Sequence, residues 1–109
     1  LTVRENVRFV LDHPRSKASD ARIDRWLGRV GLEGYAHYYP TQLSIGMQQR
    51  VAVARALILE PDLLFMDEPF SSLDELTATR MREELLELWQ EQSCTVVFVT
   101  HNPLEAVFL

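Results

Sequence analysis

The sequence predicts an α/β fold made of a helical region and a strand–helix–strand unit with parallel strands. Two apolar runs, Leu63–Met66 and Thr95–Val99, have the length and composition of strands, and the first is expected to be buried on both faces. Residues 74–92 lie between them and repeat apolar side chains at helical spacing, as a right-handed crossover helix does. No Gly- or Ser-rich linker interrupts the chain, and the joint between the two regions is predicted near Tyr39-Pro40.

The first two helices are predicted from the residues at their ends. Thr2 and Glu5 have the spacing of a capping box, and the helix that they open should end at His13-Pro14. A second helix is expected to begin around Ser19 and to close at Gly31, because glycine commonly ends a helix in the left-handed conformation. The apolar residues predicted on their buried faces are Val3, Val7, Val10, Leu11, Ile23, Leu27 and Val30.

Two further helices are predicted on either side of the first strand. Ser44 can cap a helix that Pro61 stops, and Asp74 can cap a helix that runs to about Gln92, because both side chains accept bonds from first-turn amides. The predicted buried stripes are Met47, Val51, Ala54 and Ile58 in the earlier helix and Ala78, Met81, Leu85 and Leu88 in the later one.

The composition is that of an ordinary soluble globular protein, with 47% hydrophobic and 25% charged residues in a chain of 109. No apolar run approaches the ~18 residues of a membrane span, and the charged residues within positions 1–12 exclude a signal-peptide core. A single cysteine, Cys94, excludes an internal disulfide and is compatible with the cytosol. Residues 1–40 carry a net charge of +2 and residues 41–109 a net charge of −7, which argues against a nucleic-acid groove.

Three motifs that carry chemistry follow one another along the chain. Leu-Ser-Ile-Gly-Met-Gln-Gln-Arg begins at Leu43, Leu-Leu-Phe-Met-Asp-Glu-Pro begins at Leu63 with Ser-Ser-Leu-Asp soon after it, and Thr-His-Asn begins at Thr100. An apolar strand that ends in two carboxylates suits a site that holds a metal-bound water beside a phosphate. In order and spacing, the motifs resemble those of the ATP-binding subunits of ABC transporters. Leu-Thr-Val-Arg-Glu-Asn-Val at the start and Glu-Ala-Val-Phe-Leu after Thr-His most resemble the nitrate, sulfonate and taurine importer branch.

The resemblance implies a partial P-loop NTPase core and an α-helical subdomain. Residues 1–40 would form the helical subdomain, and residues 41–109 would hold the signature helix, the Walker B strand, the D-loop, a helix and the switch-histidine strand. The chain lacks the motif Gly-x-x-x-x-Gly-Lys-Ser/Thr, whose amides and lysine hold nucleotide phosphates, and its only lysine is Lys17. We therefore expect a fragment that begins after the Q-loop, lacks Walker A and is inactive by itself.

The resemblance assigns the catalytic chemistry to the end of the first strand. Asp67 would hold Mg²⁺ through its water shell, and Glu68 would polarise the water that attacks the γ-phosphate of ATP. The plainer interpretation is that the acidic pair starts a surface turn before Pro69. The four apolar residues before the pair and the Ser-Ser-Leu-Asp after it favour the catalytic interpretation.

The signature motif supplies the nucleotide contacts that the resemblance implies. A helix N-terminus would face the γ-phosphate held by the opposite subunit of a head-to-tail dimer. The residues that would contact the nucleotide are Ser44, Gly46, Met47 and Gln48. The family has glycine where this chain has Ile45, and a β-branched residue restricts the backbone and adds bulk there. An ordinary Ser-capped helix is the alternative interpretation.

Two further residues complete the expected catalytic set. Asp74 matches the D-loop, which crosses the dimer and helps to place the hydrolytic water, and it can equally be the N-cap of the helix that follows. His101 comes directly after the second strand and matches the switch histidine that contacts the γ-phosphate, although a lone histidine is usually structural.

The predicted function is therefore ATP binding and hydrolysis that powers solute import across a membrane, with ATP and Mg²⁺ as cofactors. The expected partners are a second ATPase subunit and a transmembrane permease at the cytoplasmic face of the cell membrane, with no nucleic acid. An alternative from another class is a non-catalytic helical interaction module that binds a membrane partner, which the missing phosphate loop would favour.

Overall fold

The computed structural model describes residues 1–12, 16–68, 70, 73–92 and 94–100. Its helices and strands are α1 (Val3–Arg8), α2 (Lys17–Arg29), α3 (Ile45–Leu57), β1 (Leu63–Asp67), α4 (Glu75–Gln90) and β2 (Thr95–Val99). Two 3₁₀ turns, Glu33–Tyr35 and Pro40–Gln42, connect α2 to α3. The chain divides into two compact units, Leu1–Leu59 and Glu60–Leu109. None of the described helices is long and apolar enough to cross a bilayer.

The predicted capping box opens α1. The Glu5 amide donates to the Thr2 hydroxyl oxygen over 3.2 Å, and the Thr2 amide donates to the Glu5 carboxylate over 2.7 Å. The predicted end at His13-Pro14 is wrong, because α1 ends at Arg8. The Leu11 amide bonds the Arg8 carbonyl over 3.0 Å, and this tighter turn closes the helix early.

Caps at both ends define α2. The Ser16 hydroxyl oxygen accepts the Ser19 amide over 3.0 Å, so the helix begins at residue 17, earlier than the predicted start around Ser19. At the other end, Gly31 has a φ of +73°, as the sequence predicted. The Leu32 amide returns to the Leu27 carbonyl over 2.8 Å, which completes a Schellman motif.

Ion pairs and a hydrogen bond to a helix end link the helices of the first unit. Arg8 and Arg4 of α1 reach the Asp20 carboxylate of α2 at 2.7 and 3.2 Å. The Arg22 guanidinium of α2 donates to the Ile58 carbonyl at the C-terminus of α3, where carbonyls lack donors within the helix. The side chains buried in this unit include Val3, Val7, Ile23, Trp26, Leu27, Val51, Ala54 and Ile58.

The second unit contains the strand–helix–strand unit. β1 and β2 pair in parallel, with Leu63 opposite Thr95 and Asp67 opposite Val99. α4 lies between them in the chain, which confirms the predicted crossover arrangement. The apolar stripe of α4 is buried as predicted, at Ala78, Met81, Leu85 and Leu88.

The prediction that β1 is buried on both faces is wrong. Leu64 and Met66 are 9% and 8% exposed, whereas Leu63 and Phe65 on the other face are 62% and 64% exposed. Within the described residues the sheet has two strands and one crossover helix, α4, and a single helix can cover only one face of a sheet. The exposed apolar residues on the uncovered side, here named the open sheet face, are Leu63, Phe65, Val97 and Val99.

The compact units do not coincide with the predicted division after residue 40. α3 packs with α1 and α2 in the first unit, whereas the predicted division places it with the strands. Packing alone does not identify the role of a subdomain, so the assignment of residues 1–40 and 41–109 to a helical subdomain and a catalytic core stays a prediction.

Candidate functional site

The predicted catalytic carboxylates lie where β1 ends. Asp67 is the last residue of the strand and is exposed, while Glu68 follows it and is half-buried. The Glu68 amide donates to the Val99 carbonyl of β2 over 2.7 Å, which extends the strand pairing past the end of β1. Both carboxylates therefore stand at the carboxyl edge of a parallel sheet, the edge at which α/β proteins bind their ligands.

Glu68 has a backbone conformation that is uncommon for a residue with a side chain. Its φ is +43°, and Glu60 is the only other non-glycine residue in the described part of the chain with a positive φ. The left-handed conformation costs an L-residue roughly 1–2 kcal/mol, so surrounding contacts must hold it. The resulting bend ends the strand. The Glu68 side chain therefore does not follow the alternation between sheet faces that the side chains of β1, including Asp67, follow.

Phe70 anchors the segment after the carboxylates, a role that the sequence analysis missed. Its side chain is 2% exposed, and its ring centroid lies 6.1 Å from that of Phe98 on β2. The Leu73 amide, directly before Asp74, donates to the Phe70 carbonyl over 3.1 Å. The signal that could have revealed this anchor was an aromatic residue directly after Asp-Glu-Pro, where a surface turn would carry polar side chains.

Asp74 is the N-cap of α4, as one of its two interpretations predicted. The Thr77 amide donates to its carboxylate over 3.2 Å, and the Asp74 side chain is exposed. Hydrogen bonds from the Thr77 side chain and then from the Thr77 amide lower the pKa of Asp74 below its ordinary value of 3.8. The D-loop role of Asp74 stays a prediction, since a residue can cap a helix and also face a partner.

Acid should weaken the N-terminus of α4. Because the pKa of Asp74 is lower in the folded chain, its cap stabilises the helix fully above pH 3.8, and this effect is lost as the pH falls through the folded-state pKa. We expect the NMR signal of the Thr77 amide to titrate with a midpoint below 3.8. In Asp74→Asn the cap should remain, because asparagine accepts the same bond, but the titration should vanish. If the titration persisted in that variant, another carboxylate would be its source.

The predicted nucleotide contacts belong to the first turn of α3. Ser44 is the N-cap, as predicted, and its hydroxyl oxygen accepts the Met47 amide over 3.1 Å. Gly46 and Met47 are half-buried, so Met47 does not join the fully buried stripe that was predicted for this helix. Ile45, at the position where the resemblance implies glycine, is 54% exposed in the first turn of the helix.

Gln48 uses its side-chain amide within the chain. Its Nε2 atom donates to the Pro40 carbonyl over 2.8 Å and lies 3.4 Å from the Leu43 carbonyl. The residue as a whole is exposed, so the bonds are formed at the surface rather than in the core. The sequence does not predict this connection, and the nucleotide contact of Gln48 stays a prediction.

The predicted site residues fall into two groups. Asp67, Glu68 and Asp74 belong to the second unit, and the turn that Ser44 begins belongs to the first unit. His101 lies outside the described residues. Among the residues that are described, no cluster of three or more His, Cys, Asp or Glu side chains could enclose a metal ion. Mg²⁺ commonly keeps several waters and binds one or two carboxylates together with substrate phosphates, and the exposed carboxylate of Asp67 suits this mode.

Comparison with known protein sequences gives a family profile and relatives that agree with one another. A family profile described as ABC transporter matches residues 1–71. The taurine import ATP-binding protein of Pelagibacter ubique is 46% identical over 114 residues, which cover all of this chain and 42% of that protein. The nitrate import ATP-binding protein of a Synechocystis species is 45% identical over 112 residues, which again cover all of this chain and 42% of the relative.

A solved structure shares the fold. The chain matches a structure described as an inward-facing conformation of a metal-chelate type ABC transporter, with a TM-score of 0.91 and 29% identity. The match covers all of this chain and 46% of that one, which confirms the predicted α/β class. This chain therefore spans less than half the length of the relatives to which it is similar.

Proposed function

The chain belongs to the ABC transporter family, and from this premise we propose that it is part of an importer's ATP-binding subunit, in which ATP hydrolysis powers solute transport. The observation that carries the proposal is the acidic pair Asp67-Glu68 at the carboxyl edge of the sheet, with Glu68 in a left-handed conformation. Such backbone strain persists where surrounding structure holds it and is concentrated at functional sites. The names of the taurine and nitrate import relatives support the importer branch.

The two carboxylates have different tasks in this proposal. Asp67 is exposed at the strand end and would hold Mg²⁺ through its water shell, and a metal held there would offset negative charge on the nucleotide phosphates. Glu68 accepts a proton from the water that attacks the γ-phosphate. Asp74 helps to place that water from across a dimer, and His101 contacts the γ-phosphate.

The first turn of α3 has a separate role in this proposal, toward a second subunit. A helix N-terminus presents backbone N–H groups and the positive end of its dipole, both of which favour an anion. We propose that the Ser44 turn contacts the γ-phosphate bound by a second ATPase subunit in a head-to-tail dimer. The second partner is a transmembrane permease, and the assembly lies at the cytoplasmic face of the membrane.

Replacing Asp67 by asparagine tests this function in the longer subunit that contains the segment. Asparagine keeps the size of the side chain but loses the charge that holds the metal's water shell. We expect the Mg²⁺ concentration for half-maximal ATP hydrolysis to rise by roughly 10–100-fold. This is the usual loss of metal affinity when a group that hydrogen-bonds to the metal's ligands is removed. Asp62→Asn is the matched control, because Asp62 is exposed and precedes β1 instead of ending it.

Two outcomes would contradict the proposal. The same Mg²⁺ dependence in Asp67→Asn, Asp62→Asn and the parent would remove the metal-binding role of Asp67. If the unaltered subunit, reconstituted with its permease, hydrolysed no ATP, the non-catalytic interaction module would be the better description.

A further inference from the structure

The hydrogen bonds of Gln48 connect the start of α3 to the turn that precedes it. Its Nε2 atom donates to the Pro40 carbonyl over 2.8 Å and lies 3.4 Å from the Leu43 carbonyl. Pro40 opens the 3₁₀ turn, and Leu43 is the residue directly before the Ser44 cap. One side chain on the first turns of the helix therefore holds both ends of the connection that leads into it.

Other hydrogen bonds also hold the turn that precedes α3. The Gln42 side chain accepts the Tyr39 amide over 2.8 Å, and the Leu43 amide donates to the Pro40 carbonyl over 3.1 Å. Leu43 is 8% exposed, so its side chain is anchored in the core. These contacts hold the turn itself, and the Gln48 side chain adds a hydrogen bond from the helix back to the turn.

We propose that Gln48 is a positioning residue, which sets the N-terminus of α3 and thereby aims Ser44 and the first-turn amides at a nucleotide phosphate. The positioning of the helix end stands on the contacts alone, while its consequence for ATP rests on the proposed function. The role needs a hydrogen-bond donor at position 48 that reaches two carbonyl oxygens. Arginine at position 48 would keep hydrogen-bond donors, and methionine would fill similar space without a donor. Glutamate would place a carboxylate, which only accepts hydrogen bonds, beside both carbonyl oxygens.

The experiment compares Gln48→Met, Gln48→Arg and Gln48→Glu in the longer subunit. Hydrogen exchange of the Met47 amide, measured without nucleotide, reports on the Ser44 cap, because that amide donates to the Ser44 hydroxyl. We expect exchange in Gln48→Met to be roughly fivefold faster, as the loss of one ordinary hydrogen bond implies. Exchange should be faster still in Gln48→Glu and close to the parent's in Gln48→Arg. Gln90→Met, on the exposed surface of α4, is the matched control and should leave the Met47 amide unchanged.

The second measurement is the ATP concentration for half-maximal hydrolysis, which should rise in the same order as the exchange rate and recover in Gln48→Arg. Unchanged Met47 exchange in Gln48→Met would overturn the proposal. Faster exchange with unchanged ATP dependence would make Gln48 a structural residue only, and weaker ATP dependence with unchanged exchange would make it a direct nucleotide contact. Each of these two results contradicts the proposal that Gln48 aims the helix end at the nucleotide phosphate. If the parent subunit itself hydrolysed no ATP, the proposed function would fail, while the exchange measurement would still decide whether Gln48 positions the helix end.

Discussion

Glu68→Gln in the longer subunit is expected to lower kcat for ATP hydrolysis by roughly 10²–10⁴-fold, the usual contribution of a positioned general base. Glutamine has nearly the same size and still forms hydrogen bonds, so ATP binding should be retained and the ATP-bound dimer should accumulate. The bond that residue 68 donates to the Val99 carbonyl comes from the backbone, and the substitution leaves this donor in place. Single-turnover hydrolysis and size-exclusion chromatography with ATP measure the two effects.

Glu60 offers an unusually close control for this variant. It is the other non-glycine residue with a positive φ in the described part of the chain, at +49°, and it is exposed. Glu60→Gln therefore makes the same chemical change in a similar backbone conformation, but before β1 instead of after it, and turnover should stay at the parent's level. Turnover of Glu68→Gln within a few-fold of the parent would mean that Glu68 is not the catalytic carboxylate.

The 109 residues by themselves are expected neither to hydrolyse ATP nor to bind Mg-ATP tightly, in contrast to the longer subunit. They contain no Gly-x-x-x-x-Gly-Lys-Ser/Thr motif, so the negative charge of the β- and γ-phosphates meets no loop amides and no lysine of that motif. Calorimetric titration with Mg-ATP compares the two proteins directly.

The comparison is informative only for a folded chain, so circular dichroism should first show the helical signal of α1 to α4. Micromolar binding of Mg-ATP by the folded chain would contradict the prediction, and it would require a phosphate site within these residues that owes nothing to the missing motif.

The features that could be predicted are those specified by residues close together in the sequence. The capping box of Thr2 and Glu5, the left-handed Gly31 and the Ser44 cap each depend on bonds within one turn of backbone. The parallel pairing of β1 and β2 could also be predicted, because a helix of this length between two apolar runs favours a crossover connection.

The features that could not be predicted depend on contacts between residues far apart in the chain or on the number of elements that cover the sheet. An apolar run such as Leu63–Met66 has the same sequence pattern in a strand with one covered face as in a strand with two. The exposure of Phe65 depends instead on the number of elements that cover the sheet. The packing of Phe70 against Phe98 joins residues far apart in the chain. The bonds of the Gln48 side chain also could not be predicted, because residue type and motif position do not reveal which of several carbonyls a side chain will bond.

The open sheet face also determines the solution conditions in which the purified 109-residue chain should stay free of self-association. Adjacent exposed apolar side chains promote association between molecules, and net charge is the main force that opposes it. The net charge is −5 at pH 7 and the isoelectric point is about 5.1, so this repulsion disappears in mildly acidic buffer. Dilute, slightly alkaline buffers of low ionic strength are therefore the conditions in which the purified chain should remain monodisperse, and crystallisation drops near pH 5 should give precipitate.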